Sequence, residues 1–137
     1  MGKLRHIAVS VHDLDKATKY FVDVFEMKVS RTLDRPDVAA CFLTDGTMDL
    51  ALINFKSPGG LGNDHPSNFE GLHHIGFKVD DIAIASRRIE AAGFAAREDI
   101  NQALGLGEGP TPDAVEYKYS GPANIIVDVS QKGWDHD

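Results

Sequence analysis

The chain has 137 residues, 42% of them apolar and 26% charged, with a formal net charge of −7. That is enough apolar material for one compact domain, while the acidic balance argues against a nucleic-acid backbone as partner, which needs a Lys/Arg surface. The one cysteine, Cys41, lies in an apolar run and allows neither an internal disulfide nor a cysteine metal cluster; no apolar run reaches the roughly 20 residues of a membrane span and the N-terminus lacks a signal-peptide core, so a cytoplasmic protein is expected.

Residues 3–11 alternate, with Ile7, Val9 and Val11 on one face and Leu4, His6, Ala8 and Ser10 on the other, which predicts a strand. Asp13 reads as an N-cap. Leu14, Ala17, Phe21 and Val24 then follow at helical spacing, so about 14–26 is an amphipathic helix. Strands are predicted at about 27–33, 38–44 and 48–55, with Asp45-Gly46 as a hairpin turn. Residues 56–71 are rich in Gly and Pro and read as a linker. A second strand–helix pair follows. Ile75, Phe77 and Val79 alternate with His74, Gly76 and Lys78, Asp81 caps a helix carrying Ile82, Ala85, Ile89 and Ala92, and Gly93 ends it. Strands at about 95–99, 114–119 and 124–130 complete the half, with Ser120-Gly-Pro-Ala as a turn and 101–114 as a long loop. The glycines at 105, 107 and 109 do not run from a strand into a helix, so they are not a dinucleotide fingerprint.

Each half therefore reads βαβββ, and the two halves are copies. RHIAVSVHDLDKATKYFV at 5–22 repeats as HHIGFKVDDIAIASRRIE at 73–90, which puts His6 on His74, Val11 on Val79 and Asp13 on Asp81. In both first strands the bulky residues face the helix, and the histidine shares the other face with small or polar residues. Such a face suits the lining of a concave cavity. Asp128, mid-strand in Ile-Ile-Val-Asp-Val-Ser, and Asp49, in the strand 48–55, add carboxylates where an unpaired buried charge is costly. Two histidines with one or two carboxylates are ligands for a divalent ion: Zn, Ni, Co, Mn or Fe(II). Set against this, each is also explicable as an isolated polar residue held by hydrogen bonds. Tyr119 is a candidate to orient a substrate oxygen or donate a proton, beside the simpler reading of Tyr117 and Tyr119 as alternating strand residues. Lys78 is placed on the cavity face as a possible anion contact. His73 is expected to point away from His74, His12 and His136 to be exposed, and Trp134 to pack over the sheet end or a partner subunit.

The patterns HIA-V-V-DLDKA-KYF, HHIGFKVDDI and GPANIIVDVS resemble the vicinal oxygen chelate superfamily, which includes glyoxalase I, methylmalonyl-CoA epimerase, extradiol dioxygenases and bleomycin resistance proteins. The resemblance covers almost the whole chain and implies an α+β fold, with two paired βαβββ modules forming a cupped mixed sheet and helices on its outer face. It implies one glyoxalase-like domain over 1–137: module one at about 1–56, linker at about 57–71 and module two at about 72–134. By resemblance the metal ligands are His6, His74 and Asp128, where the family commonly has Glu. The fourth position falls on Asp49 in one alignment and on Ala51, leaving it empty, in another. The implied function is a metal-dependent enzyme of the glyoxalase/epimerase kind, acting on a small substrate with adjacent oxygens through a metal-stabilised enediolate, and working as a homodimer. The alternatives are an extradiol-type dioxygenase on a catechol-like ring and a metal-free small-molecule binding protein of the bleomycin-resistance type.

Overall fold

The computed structural model describes residues 1–107, 109–112 and 116–135. Among these the first half runs β1 (Gly2–Ser10), α1 (Leu14–Phe25), β2 (Lys28–Asp34), β3 (Val38–Thr44) and β4 (Asp49–Phe55). The second runs β5 (Gly71–Val79), α2 (Ile82–Ala91), α3 (Glu98–Ala103), β6 (Tyr117–Ser120) and β7 (Ile126–Ser130). The fold is α+β, with one mixed sheet in the order β2-β3-β4-β1-β5-β7-β6. Within each half the first strand pairs in parallel with the last, β1 with β4 and β5 with β7. The halves join through the antiparallel β1–β5 pair at the centre.

Local signals set the element boundaries. Asp13 and Asp81, at equivalent repeat positions, each accept a helix N–H: that of Lys16 at 3.0 Å and that of Ile84 at 3.1 Å. Each cap contributes about 1 kcal/mol. In the β3–β4 hairpin, Asp45 accepts the N–H groups of Met48 and Thr47, which hold its carboxyl at about 2. Two cores form on the helix face. Leu14, Ala17 and Phe21 of α1 pack on Val9, Cys41, Leu43 and Leu52. Ile82, Ala85 and Ile89 of α2 pack on Val79, Tyr117, Tyr119 and Val129. The fully buried side chains among them, Leu43, Leu52 and Ile82, each contribute about 1.5–3 kcal/mol.

The second half departs from the predicted pattern. The strand expected at 95–99 is reduced to one bridge, Ala96 with Tyr119, and the chain turns into α3. Glu98 and Asp99 place acid in the first helical turn, which favours a helix start over a strand. Asn101 then ties α3 to the backbone of Lys118 through both its amide and its carbonyl at 2.9 Å. The predicted long loop therefore begins as a docked helix. Glu108, 113–115 and His136 lie outside the described residues. No helix among the described residues is long and apolar enough to cross a membrane.

The face of small residues is the drier one. His6, Ala8 and Ser10 are buried, while Ile7 and Val9 are only partly so. Side chains from β2, β3, β4 and β6 wall this face into a cavity of about 250 Å³. The 56–71 segment closes one end, where the Ser10 hydroxyl donates to the Phe69 carbonyl at 2.9 Å.

Candidate metal centre

Two β-bulges aim the histidines. Along the β1–β5 pair the register runs Leu4↔Phe77 and then His6↔Gly76, so Arg5 is an extra residue in β1. Further on it runs Ala8↔His74 and then Val9↔Leu72, so His73 is an extra residue in β5. Arg5 and His73 occupy the same repeat position. Each bulge stands one residue before the paired histidine, bends its strand and re-aims the side chain that follows. The result is that His6 Nε2 and His74 Nε2 lie 3.0 Å apart in the buried floor of the cavity.

The surrounding hydrogen bonds decide which ring nitrogens carry hydrogen. The Leu61 carbonyl can only accept, so His73 donates to it from Nε2 at 2.9 Å. Burial pushes the His73 pKa down to about 4, so the ring is neutral and its Nδ1 is an acceptor. His74 Nδ1, 2.8 Å away, must then donate to it. His74 is itself neutral, because burial and then the charge of Lys118 hold its pKa well below the usual histidine range. His6 donates from Nδ1 to Asp49 Oδ2 at 2.5 Å. His74 Nε2 is thereby left as a lone pair facing His6 Nε2.

Asp128 joins them. Its Oδ2 lies 3.0 Å from His74 Nε2 and 3.9 Å from His6 Nε2. Both carboxylate oxygens are fully buried, and among the described residues neither has a hydrogen bond of good geometry. Lys118 Nζ, 2.9 Å from Oδ1 and 3.0 Å from Glu116 Oε1, compensates part of the charge. Burial alone would lower the lysine's pKa, but Asp128 and Glu116 outweigh it and raise it, so the ammonium is retained. The His74 lone pair, His6 Nε2 and a buried carboxylate oxygen thus converge on one point, where a cation would offset the charge of Asp128. Imidazole nitrogen and carboxylate oxygen are the donors that divalent transition metals take, and the donor atoms of His6, His74, Glu116 and Asp128 all lie within 4.8 Å of one another.

The structure thus brings His6, His74 and Asp128 together and sets the other two candidates apart from that point. Asp49 is buried against the far nitrogen of His6, Nδ1, from where a carboxylate can orient the ring. The parallel registers explain why. In module two His74 pairs with Ile126 and Gly76 with Asp128; in module one His6 pairs with Asp49 and Ala8 with Ala51. The counterpart of Asp128 is therefore Ala51, and that position is empty of any ligand. Tyr119 is not in the cavity. It sits in the core under α2, its hydroxyl donating to Ser86 Oγ at 2.7 Å, and burial raises its pKa. Its strand neighbour Lys118 and, two residues earlier, Glu116 face the cavity instead.

Sequence reasoning passed over Glu116 and Lys118, although a Tyr/Tyr alternation reads as a core face and leaves the residues between them on the other side. It also set His73 on the opposite face from His74. The bulge, which alternation cannot reveal, places both at the cavity. Trp134 does not cover the sheet end but stacks on His6, with ring centroids 4.7 Å apart and planes 7° from parallel. Lys78 is tied to Asp135, His12 is exposed and Cys41 is buried.

A model of the Glyoxalase/Bleomycin resistance protein/Dioxygenase superfamily matches residues 3–105. An ethylmalonyl-CoA/methylmalonyl-CoA epimerase of Cereibacter sphaeroides is 30% identical over 114 residues, which cover 79% of this chain and 78% of that protein. A mitochondrial methylmalonyl-CoA epimerase of Mus musculus is 32% identical over 94 residues, 62% of this chain and 50% of that protein. The chain thus spans about half the length of the mouse relative. Among solved structures, a methylmalonyl-CoA epimerase in complex with methylmalonyl-CoA and NH4+ aligns with a TM-score of 0.69 at 18% identity, covering 100% of this chain and 99% of that one. A hypothetical protein of Bacillus halodurans aligns with a TM-score of 0.68 at 20% identity, covering 96% and 94%. At these identities the structural likeness speaks for the fold alone.

Proposed function

Because the chain belongs to the Glyoxalase/Bleomycin resistance protein/Dioxygenase superfamily, the vicinal oxygen chelate group its sequence resembles, we propose that it is a metal-dependent enzyme of the glyoxalase/epimerase kind. Its substrate would be a small acyl compound with adjacent oxygens, and the reaction would move a proton on the carbon beside a carbonyl. The observation that carries this is the convergence of His6 Nε2, His74 Nε2 and Asp128 Oδ2 in the buried floor of the cavity. His6, His74 and Asp128, with Glu116 in reach, would hold a divalent ion. When bound, such an ion supplies Lewis-acid charge that lowers the cost of an anion next to a carbonyl.

The chain's own residues do the rest. Lys118 keeps a buried positive charge at the cavity floor, and Glu116 beside it is the carboxylate placed to accept or return a proton. Arg31 and Arg35 stand at the cavity with an apolar wall of Leu33, Val38, Phe42 and Ile53. The Arg31 guanidinium lies over the Phe42 ring, 4.1 Å from its centroid. This pairing of cations with an apolar wall suits an anionic substrate with an apolar body, and an acidic acyl thioester such as the relatives' methylmalonyl-CoA fits that description.

The test joins metal content to proton exchange. Wild type loaded with Zn, Ni, Co, Mn or Fe(II) is expected to hold about one ion per chain, and His74→Ala to hold less than about a tenth of that. The loaded wild type should also exchange the α-proton of methylmalonyl-CoA with D2O, and His74→Ala should not. Metal content below about 0.1 per chain after every loading would sink the proposal, and oxygen uptake with a catechol would replace it with the dioxygenase.

A further inference from the structure

We propose that Trp134 is a positioning residue for His6: the tail after β7 folds back so that its indole backs the imidazole and fixes the direction of Nε2. The inference rests on the metal reading of the site. His6 has two rings against it, His74 on one side at 5.0 Å and Trp134 at 4.7 Å, the latter nearly parallel. Asp49 fixes one end of His6 through Nδ1. A hydrogen bond to Nδ1 still leaves the ring free to swing about that axis, and a stacked indole removes that freedom.

The seat for the indole is built into the sheet. Gly76 lies under it, and a Cβ there would stand 2.8 Å from Trp134 Cη2 and 2.8 Å from His6 Cβ. The equivalent residue of module one, Ala8, carries that Cβ, so the gap exists only where the tryptophan sits. Two contacts hold the tail in place around it. The Ser130 hydroxyl accepts the Gly133 N–H at 2.8 Å, and Lys78 of β5 pairs with Asp135. Trp134 itself adopts a φ of 62°, a left-handed conformation unfavourable for a bulky residue. A strained backbone held at both sides so that one ring can lie on a ligand histidine is the arrangement of a support, not of a loose tail.

Trp134 is the one tryptophan in the chain, so its emission reports directly on His6. Titration of wild type with Co²⁺ is expected to quench that emission and to saturate at about one ion per chain. By chelator competition, Trp134→Leu, which fills space without stacking, should bind Zn²⁺ about tenfold or more weakly. Trp134→Phe, which restores an aromatic face, should stay within about threefold of wild type. Equal Zn²⁺ affinity in wild type and Trp134→Leu would overturn the role of Trp134 while leaving the metal site standing. Should Trp134→Leu fail to fold, Co²⁺ binding to wild type with unquenched tryptophan emission would overturn it equally. Failure of wild type to bind Zn²⁺ or Co²⁺ would instead remove the metal reading on which it rests.

Discussion

The two modules carry the same strand and the same histidine, yet they furnish opposite walls. Module two supplies Asp128, Lys118 and Glu116, a cluster of charges that is deeply buried apart from Glu116. Module one supplies at the equivalent β4 position Ala51, fully buried, and around it Ala40, Phe42 and Ile53. What stayed alike is what aims the imidazoles: the bulge, the following histidine and the Asp-capped helix. What diverged is what those imidazoles meet. A duplicated scaffold thereby becomes a one-sided site, with its charge in one copy and its apolar wall in the other.

Restoring symmetry is the harshest way to break this comparison. Ala51→Glu would add a carboxylate opposite Asp128 in the buried floor. Without metal it should cost roughly 3 kcal/mol, the penalty of an uncompensated buried charge, and loading with Zn²⁺ should recover much of the loss. Melting curves of apo and loaded protein check this; an apo variant as stable as wild type would mean that Ala51 does not face the charged cluster. His73→Phe comes next, because it keeps the bulk but takes away the acceptor that fixes the His74 tautomer. Zn²⁺ affinity should fall about 10–100-fold, measured by competition, with the sequence-equivalent Arg5→Ala close to wild type.

Tyr119→Phe tests the opposite face. It should lower the denaturant midpoint by the equivalent of about 1 kcal/mol, the loss of the bond to Ser86, and leave metal content and α-proton exchange unchanged. A loss of exchange at unchanged stability would return Tyr119 to catalysis. The smallest effect belongs to the clamp that replaces the missing strand. Hydrogen bonding from Arg97 holds the Asp99 carboxyl at about 2, below its ordinary value of 3.8. The folded pKa lies below the unfolded one, so the contribution is complete above pH about 4 and fades as pH falls towards about 2. Asp99→Asn should therefore cost about 1 kcal/mol or less at pH 7, after allowance for solvent screening, and nothing in strong acid, as pH-dependent urea melts would show.

The repeat and strand alternation were enough to bring His6, His74 and Asp128 to one face, because both can be read from the order of residues without knowing how strands pair. Alternation failed where a strand holds one residue too many, and His73 was misplaced for that reason alone. Asp49 and Ala51 share a parity, so only pairing with β1 could separate them, and pairing is a long-range property. Tyr119 drew attention through its hydroxyl, while the polar positions that alternate with it were the ones facing the cavity. The strand at 95–99 was lost to a helix start at Glu98 and Asp99 and to contacts the local pattern does not encode: Arg97 with Asp64 and Asn101 with Lys118.

The bulges before His6 and His74 also bear on ancestry. Between them the β1–β5 ladder is shifted by one residue, and beyond each it returns to its starting register. One insertion alone would have left the ladder slipped to its end and turned half of one strand inside out. Two insertions at matched positions cancel, and copying a half-length unit that already carried one delivers both at once. The bulge is thus a property of the repeated half, and only its use in both copies keeps the seam in register.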